Sequence, residues 1–443
     1  MTDGMRSMQR TGTTTSDQTD FLKHLFVPIY MPAILFATGE GALIPVVPLT
    51  AKALGSGLAG AGLISGLLMI GVVIGDIPSG FAVARWGETF AMRLAAVVAA
   101  VSAVACWFAP NPGVLAAGVL LIGIASATFN LARHSFLTAW TPWWYRARAM
   151  SLLGGTTRVG YFVGPFLASP VIALVGSRSV YWIHVAACVA VLVLLQVTPD
   201  PEKTLAANLA AARSDHGLGP RDESSPRRAQ APATNPGDTP ATPTEATKRR
   251  RLPVFAYFRI LIRLGTAAGI LQMLRASRQV ILPLWGVQLD IPESRIALIM
   301  GVAGAVDLSL FYTSGQVMDR FGRRWVAVPV LIGLSAAHLL LPLAGMEWSY
   351  VAAAILMSLA NGMGSGIVMT LGSDLASRYA AEDTPGFLGG WRTFTDTGSA
   401  LGPLAISGMT ALTGLWSAAV LIGVCGLAGA VLMLRFIPRL VGR

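Results

Sequence analysis

Nine ionisable side chains interrupt otherwise apolar stretches of the chain: Glu40, Arg133, Arg158, Arg275, Arg278, Asp307, Asp374, Arg392 and Asp396. Placing any one of them at the centre of a hydrocarbon layer costs roughly 2.5–3.5 kcal/mol on translocon scales, so they are expected to face one another or a wet cavity. A carboxylate in that setting is a candidate proton carrier, and a guanidinium a candidate anion ligand. Glu40 leads the first class, with Asp307 and Asp396 behind it. Arg275 and Arg278 are three residues apart and so share a helix face. Two like charges on one face repel unless an acid or an anionic substrate lies between them.

Enzyme chemistry finds no foothold. There is no HExxH, no GxSxG, no paired cysteine and no separate catalytic domain. Cys106, Cys188 and Cys425 sit singly in apolar runs and read as small core residues rather than a disulfide or metal framework. His24, His134, His184 and His338 are scattered without metal-ligand spacing. The glycine-rich Gly362-Met-Gly364-Ser-Gly366 is preceded by no strand and reads as close packing in mid-helix, not a phosphate cradle. No cofactor and no metal is expected.

The elements that must position these charges follow from composition. The 443 residues carry 33 basic and 22 acidic side chains, a net charge of +11. Hydrophobic residues make up 54% and charged ones only 12%, about half the charged share of a soluble domain. Mean hydropathy is +0.62. This is a polytopic membrane protein; nucleic acid is not an expected partner, because basic excess in such chains reflects inner loops. Spans of about 20 apolar residues begin near Phe26, Ala59, Ala91, Gly113, Met150 and Val180. A second group begins near Val254, Ile296, Val326, Tyr350, Phe387 and Leu415.

Twelve spans thus fall into two groups of six, at 25–198 and 253–436. A polar tail at 1–24 precedes them, with no apolar signal-peptide core, and a short tail at 437–443 follows. Residues 199–252, rich in Pro, Ala, Thr and Ser and ending in Lys248-Arg249-Arg250-Arg251, are expected to be a disordered linker. Basic residues crowd one set of loops, and Trp140, Trp143 and Trp144 beside Arg146 and Arg148 read as an interfacial belt. Both termini and the linker are therefore expected on the cytoplasmic side of the cell membrane.

The two groups repeat. Glu40 and Arg278 each stand five positions before a proline, Pro45 and Pro283, at an offset of 238 (278 − 40). Gly160-xxx-Gly164-Pro165 in the fifth span and Gly398-xxx-Gly402-Pro403 in the eleventh recur at the same offset. The pattern indicates a duplicated six-helix unit. Arg158 aligns with Asp396 at that offset, and the two are expected to pair across the halves.

The sharpest motif is Gly315-Gln-Val-Met-Asp319-Arg320-Phe-Gly322-Arg323-Arg324 between the eighth and ninth spans. It resembles the cytoplasmic-loop signature of the major facilitator superfamily, and Asp374 matches an acid that often joins that latch. The first-half counterpart keeps Gly80, Arg85 and Gly87, but Ala84 replaces the aspartate and Glu88 the following base. Asp76 is a candidate to cover part of the missing role. Gly160-xxx-Gly164-Pro165 resembles the motif of drug:proton antiporters in that superfamily.

The resemblance implies an all-α fold of twelve transmembrane helices in two pseudo-symmetric six-helix bundles. Its central cavity would be lined by spans 1, 4, 7 and 10. Glu40, Arg275, Arg278 and Arg158 become the cavity candidates, with Arg133 and Arg392 nearer the cytoplasm at a gate or lipid headgroups. The function it implies is a monomeric, proton-coupled secondary transporter in contact with membrane lipids. Export of amphipathic drug-like or metabolite molecules is the leading expectation. Proton-coupled uptake of an organic anion or metabolite, or lipid flipping on the same fold, are the alternatives.

Overall fold

The computed structural model describes residues 29–140, 146–198, 257–380 and 383–440. The tail, the linker and the Trp143–Trp144 belt of the sequence reading lie outside the described residues. In the first half, six helices follow one another: α1 (Met31–Ala53), α2 (Leu58–Trp86), α3 (Glu88–Trp107), α4 (Pro112–Trp140), α5 (Arg146–Val175) and α6 (Val180–Val197). The second half contains α7 (Thr266–Gln288), α8 (Glu293–Ser309), α9 (Phe311–Phe321), α10 (Arg324–Leu340) and α11 (Glu347–Met363). It ends with α12 (Ile367–Tyr379), α13 (Thr384–Thr413) and α14 (Leu415–Leu440).

Two of the expected spans are broken. The eighth is α8 plus α9, bent by 40°, and the tenth is α11 plus α12, interrupted at Gly364–Gly366, where Gly366 has φ +77°. The glycine run read as mid-helix packing is thus partly a helix break, because the left-handed conformation at Gly366 does not continue an α-helix. Among the described residues, nine helical spans are long and apolar enough to cross a membrane, and ten if the bent pair counts as one. The two long helices outside that set, α7 and α13, carry Arg275 and Arg278, and Arg392 and Asp396 respectively. Their charges lower their hydropathy, and their packing below shows what shelters them.

Prolines did not end α1. Pro45 and Pro48 lie inside it, and it runs on to Ala53, which puts Glu40 thirteen residues, about 20 Å, from that end rather than eight residues. Neighbouring helices can re-satisfy the carbonyls that a proline frees, which is why such interruptions are tolerated in membranes. α1 is buried nearly all round, as expected of a helix at the centre of a bundle. Bulky apolar side chains such as Ile77, Phe81, Leu174 and Leu412 face outward, an arrangement suited to lipid.

The packing scheme is doubled. α1 packs on α5 and α7 on α13; α3 packs on α6 and α10 on α14. The halves then meet along two seams, α5 with α8 and α2 with α13. Glycine makes the first set of contacts possible: a Cβ on Gly160 would stand 2.5 Å from the Ala37 carbonyl carbon, and one on Gly164 2.5 Å from the Thr38 carbonyl oxygen. In the other half, a Cβ on Gly398 would stand 2.0 Å from the Gly269 oxygen and one on Gly402 2.5 Å from the Met273 oxygen. Backbones that approach this closely gain dispersion contact without a hydrophobic driving force.

The seams are tied at one end, the end bearing the turns near residues 55, 176 and 290. Ser169 of α5 donates to the Ser294 carbonyl of α8 at 2.9 Å, and Ser407 of α13 to the Ala59 carbonyl of α2 at 2.7 Å. The donors are 238 apart (407 − 169) and the acceptors 235 (294 − 59), so these are one interaction made twice. Toward the other end the seams loosen. A Cβ on Gly155 would stand 4.0 Å from Phe311, and α2 meets α13 through Arg392 and Asp76 at 3.6 Å.

Gly398→Ala should lower the melting temperature of the detergent-solubilised protein, since overpacking of this kind costs about 1–3 kcal/mol. Gly408→Ala on the same helix, where an added Cβ meets nothing within 4 Å, should leave it unchanged or slightly higher. Equal behaviour of the two variants would refute the close-approach role.

Candidate functional site: a charge cluster between the halves

Asp307 lies two residues before the end of α8, just above the bend, and is 9% exposed. One carboxylate oxygen accepts from Arg158 Nη1 of α5 at 2.6 Å. The other accepts from Arg278 Nη2 of α7 at 3.3 Å and from Asn361 Nδ2 of α11 at 2.6 Å. Arg278 Nη1 also donates to Ser358 Oγ at 2.8 Å, and the Arg158 guanidinium sits 5.3 Å from the centre of the Phe311 ring. Four helices from both halves therefore converge on one carboxylate. Gly362 lets α11 come in: a Cβ there would stand 2.8 Å from the Asp307 carbonyl oxygen.

Arg275, one turn before Arg278, is held without a carboxylate. Its Nη2 donates to the Gly364 carbonyl at 2.6 Å and its Nη1 to Gln272 Oε1 at 3.0 Å. Gly364 caps the C-terminus of α11, where its carbonyl accepts the Ile367 N–H at 3.3 Å but no bond of a continuing α-helical ladder, and the carbonyls of a helix C-terminus are partially negative. The break in the tenth span thus supplies the acceptor for a cation that has no acid of its own. The Nε groups of Arg275 and Arg278 are buried and have no hydrogen-bond partner.

On the other side, Glu40 of α1 is 4% exposed and makes no ion pair among the described residues. Tyr161 of α5 and Ser126 of α4 lie beside its carboxylate, with Arg133 of α4 as the nearest cation. Arg133 donates to Thr157 Oγ1 of α5 at 3.0 Å and is 8% exposed. It is an interior residue of the first half, not a headgroup contact. Above Glu40, an apolar hollow bordered by Leu43, Val47, Leu68, Met69, Ile122 and Val280 touches both halves.

Arg158 does not pair with Asp396. Asp396 lies 3.7 Å from Arg392, its own neighbour one turn back, and Arg392 reaches Asp76 at 3.6 Å. This second cluster, on the α2–α13 seam, is more open, with Arg392 62% exposed at its side chain. Asp76 thus makes a charge contact between the halves.

At the loop motifs, Gly87 and Gly322 end α2 and α9 with φ +82° and +90°, conformations only glycine adopts readily. Gly80 and Gly315 are open, with room for a Cβ. The charge link is Arg323 Nε to Asp374 at 2.7 Å. Asp319 makes no ion pair among the described residues, Arg320 stacks over Phe321 at 5.6 Å, and Arg324 begins α10. In the first half, Arg85 lies in the last turn of α2, and Glu88 accepts from Ser135 Oγ at 3.2 Å.

Ser358, Asn361, Tyr161, Ser126 and Thr157 escaped the sequence reading. Ser358 and Asn361 could have been found: they are polar, three apart, on one face of an apolar span. His184 and His338 are fully buried, and His338 lies between the Leu334 carbonyl and Ser277 Oγ as a packing residue.

Two pseudo-symmetric helical halves, tied at one end and meeting at a buried charge cluster, have the architecture of a polytopic membrane transporter. The sequence profile of the Major Facilitator Superfamily matches residues 30–306 and 264–442, and the chain belongs to that family. It is a multi-pass membrane protein of non-enzymatic type, acting on a small-molecule substrate.

Its fold is similar to that of the xylose transporter XylE from E. coli in a partially occluded inward-open conformation, with a TM-score of 0.66 and 14% identity. That match covers 94% of this chain and 100% of the other. A transporter of the POT family in complex with a thioalcohol-conjugated peptide gives a TM-score of 0.71 at 10% identity, covering 94% and 96%. At these identities the likeness concerns the fold alone. A curated relative, "Probable anion transporter 6" from Oryza sativa subsp. japonica, is 28% identical over 156 residues. The match spans 35% of this chain and 36% of that protein.

Asp307→Asn should strand Arg158 and Arg278 against each other. Removing one partner of a buried ion cluster costs about 3–5 kcal/mol, read as a marked loss of melting temperature. The double variant Arg158→Gln/Asp307→Asn should recover part of it, since one stranded cation goes with the acid. A double variant no better than the single would disconnect the two residues.

Proposed function

We propose that this protein moves organic anions across the cell membrane by alternating access, with protons as the coupling ion. The observation that carries the reading is the charge sum at the centre. Three guanidiniums stand there against one carboxylate, Asp307, which Arg158 and Arg278 bond while Arg275 has only neutral acceptors, and the Glu40–Arg133 neighbourhood adds nothing to the balance. A surplus of buried positive charge is unfavourable in a low-dielectric interior and is relieved when an anion enters. The relative named as a probable anion transporter supports the same reading over the third of the chain that it matches.

Asp307 stands where a substrate carboxylate would be held. Its carboxylate bridges Arg158 in the first half and Arg278 in the second, as a substrate carboxylate would. Glu40 carries the proton: it is buried, makes no ion pair among the described residues, and lies beside the Tyr161 hydroxyl. The sealed end is the outer one and both termini are cytoplasmic, which follows from the basic residues in the opposite loops. Export of drug-like molecules rested on the Gly160-xxx-Gly164-Pro165 motif, whose glycines make a helix–helix contact here. That contact carries no direction of transport, so anion transport is the reading adopted.

In proteoliposomes, a pH gradient should drive accumulation of a radiolabelled organic anion by the native protein. Glu40→Gln should abolish that accumulation while one-for-one anion exchange persists, because exchange needs no net proton movement. Arg278→Gln should abolish both. Full pH-driven accumulation by Glu40→Gln would remove Glu40 from the coupling, and unaltered exchange by Arg278→Gln would remove the arginine cluster from the site.

A further inference from the structure

The anion site is built for a substrate with two anionic groups, and Arg275 receives the second; we infer this from how the three arginines are spent, and it rests on the anion reading above. Arg158 and one edge of Arg278 are taken by Asp307. Arg278 gives its remaining Nη to Ser358. Arg275 is committed only to neutral acceptors, the Gly364 carbonyl and Gln272. Among the buried donors of the three, the Nε groups of Arg275 and Arg278 are without a partner.

A buried donor left unpaired is a standing penalty, and two such donors one helical turn apart, about 4.5 Å along the axis, form a matched pair. Each also belongs to a guanidinium whose charge is incompletely compensated. A monoanion placed between Arg158 and Arg278 in exchange for Asp307 leaves the Arg275 Nε and its charge unanswered. A straight-chain dicarboxylate answers both: one carboxylate accepts from the Arg278 Nε and the other from the Arg275 Nε a turn away, with Asp307 left on Arg158.

The helix break at Gly364–Gly366 makes this arrangement available. A continuous tenth span would use the Gly364 carbonyl within its own ladder. Arg275 would then need a resident acid, which would compete with the substrate for it. Holding the cation on a helix end keeps it charged, oriented and free at Nε.

The test is ligand-induced thermal stabilisation of the purified full-length protein. The panel contains straight-chain dicarboxylates of three to six carbons, the monocarboxylates of equal length, and inorganic phosphate. At least one dicarboxylate should bind about tenfold or more tighter than its length-matched monocarboxylate, the worth of one added charged hydrogen-bonded contact. Arg275→Gln should bring that dicarboxylate down to the level of the monocarboxylate, whereas Arg275→Lys should preserve part of the preference. Equal binding of the two series, or a preference that survives Arg275→Gln, overturns the second-group assignment while leaving anion transport standing. Binding of phosphate alone does the same, replacing a two-headed substrate by a compact one. Binding of no anion in the panel removes both this inference and the reading beneath it.

Discussion

A single carboxylate shared by guanidiniums from both halves is the constraint around which the molecule is arranged. Arg158 and Arg278 approach Asp307 from opposite bundles, in a place where neither charge could stand alone. Water would screen such a contact to near nothing. Sheltered between helices, it is strong enough to hold the bundles in register and, by the same token, costly to leave half made. An interaction with those properties suits the cycle proposed above, in which one anion replaces another at the centre without exposing bare charge to lipid.

The duplicated frame supplies the shelter. Glycines at Gly160, Gly164, Gly398 and Gly402 draw α5 onto α1 and α13 onto α7 until backbones touch, which aims the other faces of α5 and α13 at the opposite half. The twin serine bonds at the sealed end then fix where each seam is tightest. Both seams are antiparallel helix pairs pinned near one end and looser at the other. Such a pair can rock about its pinned end, and having two related by pseudo-symmetry lets the halves tilt without shearing.

Much of this frame was legible in the sequence. Span composition marked the helices, and the Gly-xxx-Gly-Pro recurrence marked the duplication. The match of Glu40 with Arg278 was out of register, because α1 and α7 correspond at 235 rather than 238. The glycine motifs marked close approach, because no other residue satisfies that demand. What composition could not reveal was partnership. Arg158 and Asp396 were expected to pair because they occupy equivalent positions, yet equivalence is the reason they do not. Residues related by a pseudo-twofold lie on opposite seams, Arg158 facing α8 and Asp396 facing α2, and meet only if they sit on the axis. Arg133 was misplaced for a related reason: depth counted from a helix end says nothing of the neighbour it faces, which here is Glu40. The breaks at Leu310 and Gly364–Gly366 were hidden because apolar residues continue on both sides of them.

Those breaks locate the asymmetry that function needs. α4 runs unbroken from Pro112 to Trp140, while its second-half counterpart is split into α11 and α12. Helices α1 and α7 correspond at an offset of 235 (273 − 38), since Thr38 and Ala42 meet Gly164 as Met273 and Ser277 meet Gly402. Glu40 thus stands where the second half has Arg275, opposite in charge, and at the same offset Ser126 stands where it has Asn361. One ancestral position thus became a lone acid in a quiet, continuous bundle and, in the other half, a cation in an interrupted one. A broken helix offers backbone acceptors that a cation can use without an acidic partner, so positive charge could accumulate in the second half without being cancelled there. A proton-bearing acid has the opposite requirement, since a firm cationic partner would hold it ionised through the whole cycle. On the proposed reading, keeping Glu40 in the unbroken half, apart from the arginine cluster, gives proton and anion separate sites in one frame.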